Sequence, residues 1–154
     1  MRPGWDEYFL NMLDAVSKRA TCDRGKSAAV ITKNNRMIST GYVGSVSGQP
    51  HCDEVGHLFT KQFDEDGIMR DHCTRTLHSE CNAIAFAARY GVSIDGATMY
   101  CTMEPCISCS KLIIASGIIR VVCLYEYQSA SFSRKLLKDA NIILDVVNKK
   151  VMEY

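Results

Sequence analysis

No uninterrupted apolar run in this chain approaches the roughly 20 residues a helix needs to cross a bilayer. The opening residues, Met1-Arg2-Pro3-Gly4-Trp5-Asp6-Glu7, lack the apolar core of a signal peptide and carry two acids early. A cytoplasmic protein with no membrane partner is therefore expected. Excess charge is also missing: 18 Lys and Arg against 17 Asp and Glu leave a net charge of +1. That argues against the broad basic footprint that grips a DNA or RNA backbone, and no nucleic-acid partner is expected. A small basic pocket for one phosphate remains compatible with it, because net charge does not report placement. Internal repeats and low-complexity segments are absent too, which excludes a solenoid or an array.

What is there fits one domain of common size, expected to span residues 1–154. Apolar residues make up 47%, enough to fill one core, and charged residues at 23% argue against wholesale disorder. Eight cysteines need a reason. In a reducing compartment, metal ligation is a better one than disulfides.

Tyr8, Phe9, Met12, Leu13 and Val16 recur at helical spacing and predict a helix from about Trp5 to Ala20. Ser27 to Thr32 and Arg36 to Gly41 read as a β-hairpin closed by Asn34-Asn35. Gly41, Gly44 and Gly48 punctuate a loop ending at Gln49-Pro50. From His51 to about Thr76 no periodicity stands out, which is long for a structureless stretch inside a compact domain. Its His51, Cys52, His57, His72 and Cys73 favour a loop held by a ligand. The second half alternates: helix Ser79 to Tyr90, strand Ala97 to Thr102, helix from Pro105 to about Ser116, strand Ile118 to Tyr125, helix Ser131 to Ala140, strand Ile142 to Val147. Gly91 and Gly117 end the first two of these helices. The pattern predicts a layered α/β domain with parallel strand pairs.

Three residues stand out as metal ligands. Cys106 and Cys109 lie three apart at the start of the helix opened by Pro105, which puts both sulfurs on one face. Free N–H groups and the helix dipole stabilise thiolates there. His78 opens the other helix. Two cysteines and one histidine leave a fourth position open, as catalytic rather than structural zinc sites do. Glu80, two residues after His78, can take a proton from water and hand it to a base. A lone C-x-x-C also suits a redox pair or half of a structural zinc site, and a lone H-x-E is a common accident. Together, His78-Ser79-Glu80 and Pro105-Cys106-Ile107-Ser108-Cys109 form the signature of zinc nucleobase deaminases.

At these residues the chain resembles the deoxycytidylate (dCMP) deaminase family over nearly its whole length. His78-Ser79-Glu80-Cys81-Asn82-Ala83-Ile84 resembles that family's H-A-E-x-N-A-I. Gly96-Ala97-Thr98-Met99-Tyr100 leading to Pro105-Cys106 resembles its strand and second zinc helix, and Ser116-Gly117-Ile118 the end of that helix. Ser39-Thr40-Gly41-Tyr42 with Gly44 resembles its G-Y-N-G loop, and His51-Cys52-Asp53-Glu54 its H-C-x-E element. The resemblance implies a three-layer α-β-α fold of the cytidine deaminase type, with a mixed five-stranded sheet. It implies zinc on His78, Cys106 and Cys109, with Glu80 shuttling the proton as hydroxide attacks C4 of cytosine and ammonia leaves, which turns dCMP into dUMP. Asn82 and Tyr127 are implied sugar and phosphate contacts; read by residue type alone, they are a polar helix-face residue and a strand-end aromatic. Ser79 stands for the usual Ala, Val43 for the usual Asn, and Glu104 before Pro105 is closer to tRNA adenosine deaminases.

The resemblance also implies a second, structural zinc, for which Cys22, Cys52, His57 and Cys73 are the proposed ligands, with His72 in reserve. Cys22 as a buried helix-end thiol is the plainer alternative. Cys81, Cys101 and Cys123 read as core cysteines. A homohexamer is implied, activated by dCTP and inhibited by dTTP, with Gly41, Gly44 and Gly48 as the effector loop. Two other readings compete. Another deaminase, acting on cytidine, guanine or tRNA adenosine, would differ in phosphate dependence or surface charge. A non-catalytic zinc-stabilised nucleotide-binding module would have no use for Glu80.

Overall fold

A computed structural model of the chain describes residues 1–153. Its architecture follows from strands whose central residues are apolar on both faces. In β1 (Ala28–Lys33) successive residues face opposite ways. Ala29 and Ile31 pack with Ala83, Met99, Cys101, Ile113, Val121 and Leu137, whereas Ala28 and Val30 pack with Phe9, Leu13, Tyr100 and Val122. A strand covered on both sides reads as a continuous apolar run rather than an alternation. The same holds for β7 (Thr98–Met103) and β8 (Arg120–Tyr127), the strands that fill the middle of the sheet.

The five-stranded sheet has the order β2 (Arg36–Tyr42), β1, β7, β8 and β9 (Ile143–Met152). The hairpin of β1 and β2 turns through Asn34 and Asn35, with φ of 51° and 55°, the left-handed pair that a two-residue hairpin requires. β1 runs antiparallel to β7, while β7, β8 and β9 are parallel, so the sheet is mixed as expected. Helix α1 (Trp5–Ser17) covers one face through Phe9, Leu10 and Leu13. Helices α3 (Ser79–Arg89), α4 (Ile107–Ala115) and α5 (Ser131–Asp139) cover the other, which completes three layers. Asp6 of α1 is clamped by Arg120 of β8 at 2.9 and 2.7 Å and by the Tyr100 hydroxyl at 2.7 Å. Among the described residues, no helix is long and apolar enough to cross a membrane.

The stretch from His51 to Thr76 is not structureless. It holds the short helix α2 (Cys52–Val55) and a two-stranded ribbon of β4 (Phe59–Phe63) and β5 (Met69–Cys73). A two-residue strand β6 (Thr76–Leu77) pairs with β3 (Gly44–Ser45). No alternation marks the ribbon because no side of it is buried: every residue of β4 is exposed. Charge stitches it instead. Lys61 meets Asp71 at 3.0 Å, and Arg70 meets Asp64 at 2.7 Å and Asp66 at 2.9 Å. The ribbon's tip is tied down: Glu65 accepts from Phe132 N and Ser133 Oγ at 2.9 Å each, so it caps the start of α5. The last strand also outruns its predicted end at Val147. Asn148, Lys149 and Lys150 are polar, and at a sheet edge the pairing to β8 is a backbone matter.

Candidate active site

Two helix starts face each other at the carboxyl end of the sheet. His78 is the N-cap of α3 and Cys106 the N-cap of α4, each in extended backbone. Pro105 stops the backbone of β7 from running on and hands the chain to α4. His78 Nδ1 lies 3.5 Å from Cys106 Sγ and 3.4 Å from Cys109 Sγ. One ligand atom from each of the three lies within 4.8 Å of the others. The hydrogen bond from Cys109, then His78, pulls the Cys106 thiol down to about 4 despite burial. Its hydrogen bond with Cys106 pushes His78 up to about 9. A poised thiolate, a second sulfur and an imidazole nitrogen in mutual contact fit a borderline-soft cation such as zinc, and three donors leave one position free.

Glu80 stands beside this set without belonging to it. Its side chain is buried, with Oε2 3.2 Å from Ser79 Oγ and 3.8 Å from Cys109 Sγ. Burial raises its pKa above the ordinary carboxylate value. A carboxyl that can both take and give a proton is what acid–base work needs.

Both features open into a cavity of about 530 Å³, within the ~300–1,000 Å³ range of small-molecule sites. The ribbon β4–β5 supplies one wall through Gln62, Phe63, Asp64 and His72. Tyr127, buried at the end of β8, lines the cavity beside Met103. Asn82 does not line it: its side-chain N–H₂ donates to Tyr42 O at 2.6 Å and ties α3 to β2. Gly41, Gly44 and Gly48 do not share one loop. Gly41 is buried in β2, where an added Cβ would meet Ser79 O and Ala83 N; Gly44 begins β3; Gly48 sits in an exposed turn with φ of 82°.

Three features of the cavity wall escaped the sequence. Arg24 is the only Lys or Arg among the described lining residues, its guanidinium 4.8 Å above the Phe59 ring. Its position two residues past Cys22 was the available signal. Glu104 is buried and accepts from Arg134 Nε and Nη2 at 2.6 Å each and from Tyr127 N at 3.2 Å. It thereby ties the start of α4 to β8 and α5. Cys81, expected in the core, is half-buried on the cavity wall, because α3 presents that side to the opening rather than to the sheet.

A second cluster sits under the ribbon. Ligand atoms of Cys22, Cys52, His57 and Cys73 lie within 4.8 Å of one another. Cys22 Sγ is 3.6 Å from His57 Nδ1, and Cys52 Sγ is 3.5 Å from Cys73 Sγ. Burial raises the Cys73 thiol, but hydrogen bonds with the backbone of Leu58 and Arg75 and with His57 bring it to about 6. Asp23 fixes the far nitrogen of His57 at 3.0 Å, as carboxylates orient ligating histidines. His72 stands apart, paired to Asp64 at 2.6 Å.

Comparison with known proteins agrees with this geometry. Residues 3–125 match the model of the cytidine and deoxycytidylate deaminase zinc-binding region. ComE operon protein 2 of Bacillus subtilis is 36% identical over 146 residues, covering 95% of this chain and 72% of that protein. The deoxycytidylate deaminase of Mycobacterium phage D29 is 40% identical over 123 residues, covering 79% of this chain and 94% of that one. Among solved structures, the dCMP deaminase of cyanophage S-TIM5 in complex with dCMP and dUMP superposes with a TM-score of 0.76 at 27% identity. That match covers 96% of this chain and 99% of the phage enzyme.

Proposed function

This chain belongs to the cytidine and deoxycytidylate deaminase family, and we propose that it hydrolyses dCMP to dUMP and ammonia. The observation that carries this is the open set of His78, Cys106 and Cys109 with buried Glu80 beside it, in contact with one ligand but outside the set. Zinc held by those three residues supplies Lewis acidity that makes water a nucleophile near neutral pH. Glu80 carries the proton. Its buried carboxyl takes a proton from the attacking water as oxygen bonds to C4 of cytosine. It passes that proton to N3 of the base and then carries the second proton, from the new hydroxyl, to the departing amino group, so the C4–N bond breaks and water's oxygen ends on C4 with its protons on N3 and on ammonia. Ser79 Oγ holds the Glu80 carboxyl in place.

The monoester phosphate needs a cation, and Arg24 on the cavity wall is the one to meet it. Tyr127 bounds the sugar and base from the end of β8, while Asn82 acts at one remove by holding Tyr42. Residues 1–154 carry this activity as one catalytic domain of a cytoplasmic enzyme. The cluster of Cys22, Cys52, His57 and Cys73 holds a second zinc that pins α2 and the base of the ribbon, where little apolar surface is buried. Metal analysis should find two zinc ions per chain.

The chain assembles as a homohexamer, for which exposed Phe86, Tyr90, Leu112 and Ile119 offer apolar surface. dCTP activates it and dTTP inhibits it, through the segment from Gly41 to Gly48. Light scattering, and rates with each triphosphate, test these two statements. The substrate is tested by ammonia release from a panel of nucleotides. dCMP should be turned over fastest, with deoxycytidine far behind. Equal rates on the two, or release only from an adenosine-bearing RNA, would refute the assignment.

A further inference from the structure

The mechanism leaves one thiol of the cavity without a task. Of the eight cysteines, Cys106 and Cys109 belong to the catalytic set and Cys22, Cys52 and Cys73 to the second cluster. Cys101 and Cys123 face each other across β7 and β8 at 3.5 Å, but both are fully buried and no solute reaches them. Cys81 remains. It is half-buried, it lines the substrate cavity, and its sulfur lies 3.6 Å from that of Cys109.

The two residues occupy matching places. Cys81 is the third residue of α3 and Cys109 the third of α4, and these helix starts converge on the site. Cys81 is nevertheless outside the group of three whose ligand atoms all lie close together. It touches one ligand without joining the set. Such a thiol neither closes the metal site nor packs the core. A disulfide has its sulfurs at about 2.05 Å, so closing this pair asks for a movement of roughly 1.5 Å.

We propose that Cys81 and Cys109 form a reversible oxidation site, through which a peroxide entering the substrate cavity dismantles the catalytic metal set. The proposal rests on the reading of His78, Cys106 and Cys109 as that set. Hydrogen peroxide oxidises the Cys81 thiol to a sulfenic acid, and its O–O bond breaks to release one water. The Cys109 sulfur then attacks the Cys81 sulfur. The S–O bond breaks, the hydroxyl leaves as a second water with a proton from solvent, and the S–S bond forms as the Cys109 thiolate gives up the metal. The two sulfurs together have lost two electrons, the Cys81 thiol and solvent have each supplied one proton, and one peroxide has become two waters. Cys109 can no longer act as a thiolate ligand, and His78 and Cys106 alone are a poor zinc site. A dithiol reductant reverses the link.

The test treats the zinc-loaded enzyme with hydrogen peroxide and follows three readouts. Tryptic peptide 76–89 carries Cys81 as its only cysteine, and peptide 90–111 carries Cys101, Cys106 and Cys109. The two should appear joined, two hydrogens lighter than their sum, with fragmentation placing the bond on Cys109. Zinc should pass to a chromogenic chelator in step with the cross-link, and dithiothreitol with added zinc should restore the starting rate. C81S should lose the cross-link and the matching zinc release; C81A repeats the test should serine disturb α3. A bond between Cys106 and Cys109 instead, or zinc release from C81S equal to wild type, would overturn the proposal. The cross-link is read by mass alone, so its absence in an active enzyme counts against this site and not against the deaminase assignment.

Discussion

Glu80→Gln isolates the proton-carrying step. Glutamine has the same shape, so the packing around α3 should survive. Its amide can keep the contact that Ser79 Oγ makes at 3.2 Å. It cannot accept and release a proton near neutral pH. General acid–base catalysis is worth about 10²–10⁴ in rate, so kcat should fall by roughly that factor, or about 2.7–5.4 kcal/mol of barrier. Zinc should stay, because Glu80 lies outside the three-residue set. Stability should hold or rise slightly, since the variant no longer buries an ionisable carboxyl whose charged form is disfavoured by desolvation. The assay is the loss of the cytosine absorbance band, run beside zinc analysis and a urea melt. A kcat within about tenfold of wild type would refute the role, because a true acid–base group is worth at least ~10². Loss of zinc together with activity would show instead that Glu80 supports the metal.

Arg24→Ala should raise KM for dCMP by roughly ten- to a hundredfold, as expected for a lost hydrogen bond to a charged group, and leave deoxycytidine unchanged. Steady-state kinetics on both substrates checks it, and an equal effect on the two would remove Arg24 from the phosphate. Gly41→Ala should cost about 1–3 kcal/mol, because the new Cβ meets backbone atoms of Ser79 and Ala83 that cannot swing away. The urea midpoint should drop, and activity with it, since α3 carries Glu80; an unchanged midpoint would contradict this packing. The Arg120 hydrogen bonds hold the Asp6 carboxyl below its usual 3.8. A depressed carboxyl pKa stabilises the fold above the unfolded value, and that stability is lost as pH falls through the folded value. Asp6 is 45% exposed, so its contribution is small, under about 1 kcal/mol. The urea midpoint should fall between pH 6 and pH 3 in wild type and fall less in Asp6→Asn; identical pH profiles would contradict the pairing.

Much of this was legible before any coordinates. Ile118 to Tyr125 reads as a buried strand because a continuous apolar run has few other homes, and the structure leaves Val121 to Cys123 0–1% exposed. Asn34-Asn35 announced its turn because few residue pairs tolerate two left-handed positions. The meeting of His78, Cys106 and Cys109 was legible because metal ligation fixes both residue type and spacing on a helix start. The ribbon β4–β5 was not, since its partners are ions rather than a core: Asp64, Asp66, Arg70 and Asp71 carry no period. Cys81 was misread as core because helix position alone does not say which neighbour is missing. Arg24 and Arg134 act through tertiary contacts to residues far along the chain, Phe59 and Glu104, which no local pattern encodes.

Metal removal tests the central claim most directly. The enzyme is stripped with a chelator at neutral pH, its zinc content is measured, and ammonia release from dCMP is followed before stripping, after it, and after zinc is returned. Release should fall to background in the metal-free protein and recover as the site of His78, Cys106 and Cys109 refills. Undiminished turnover of dCMP by protein shown to hold no metal would contradict it.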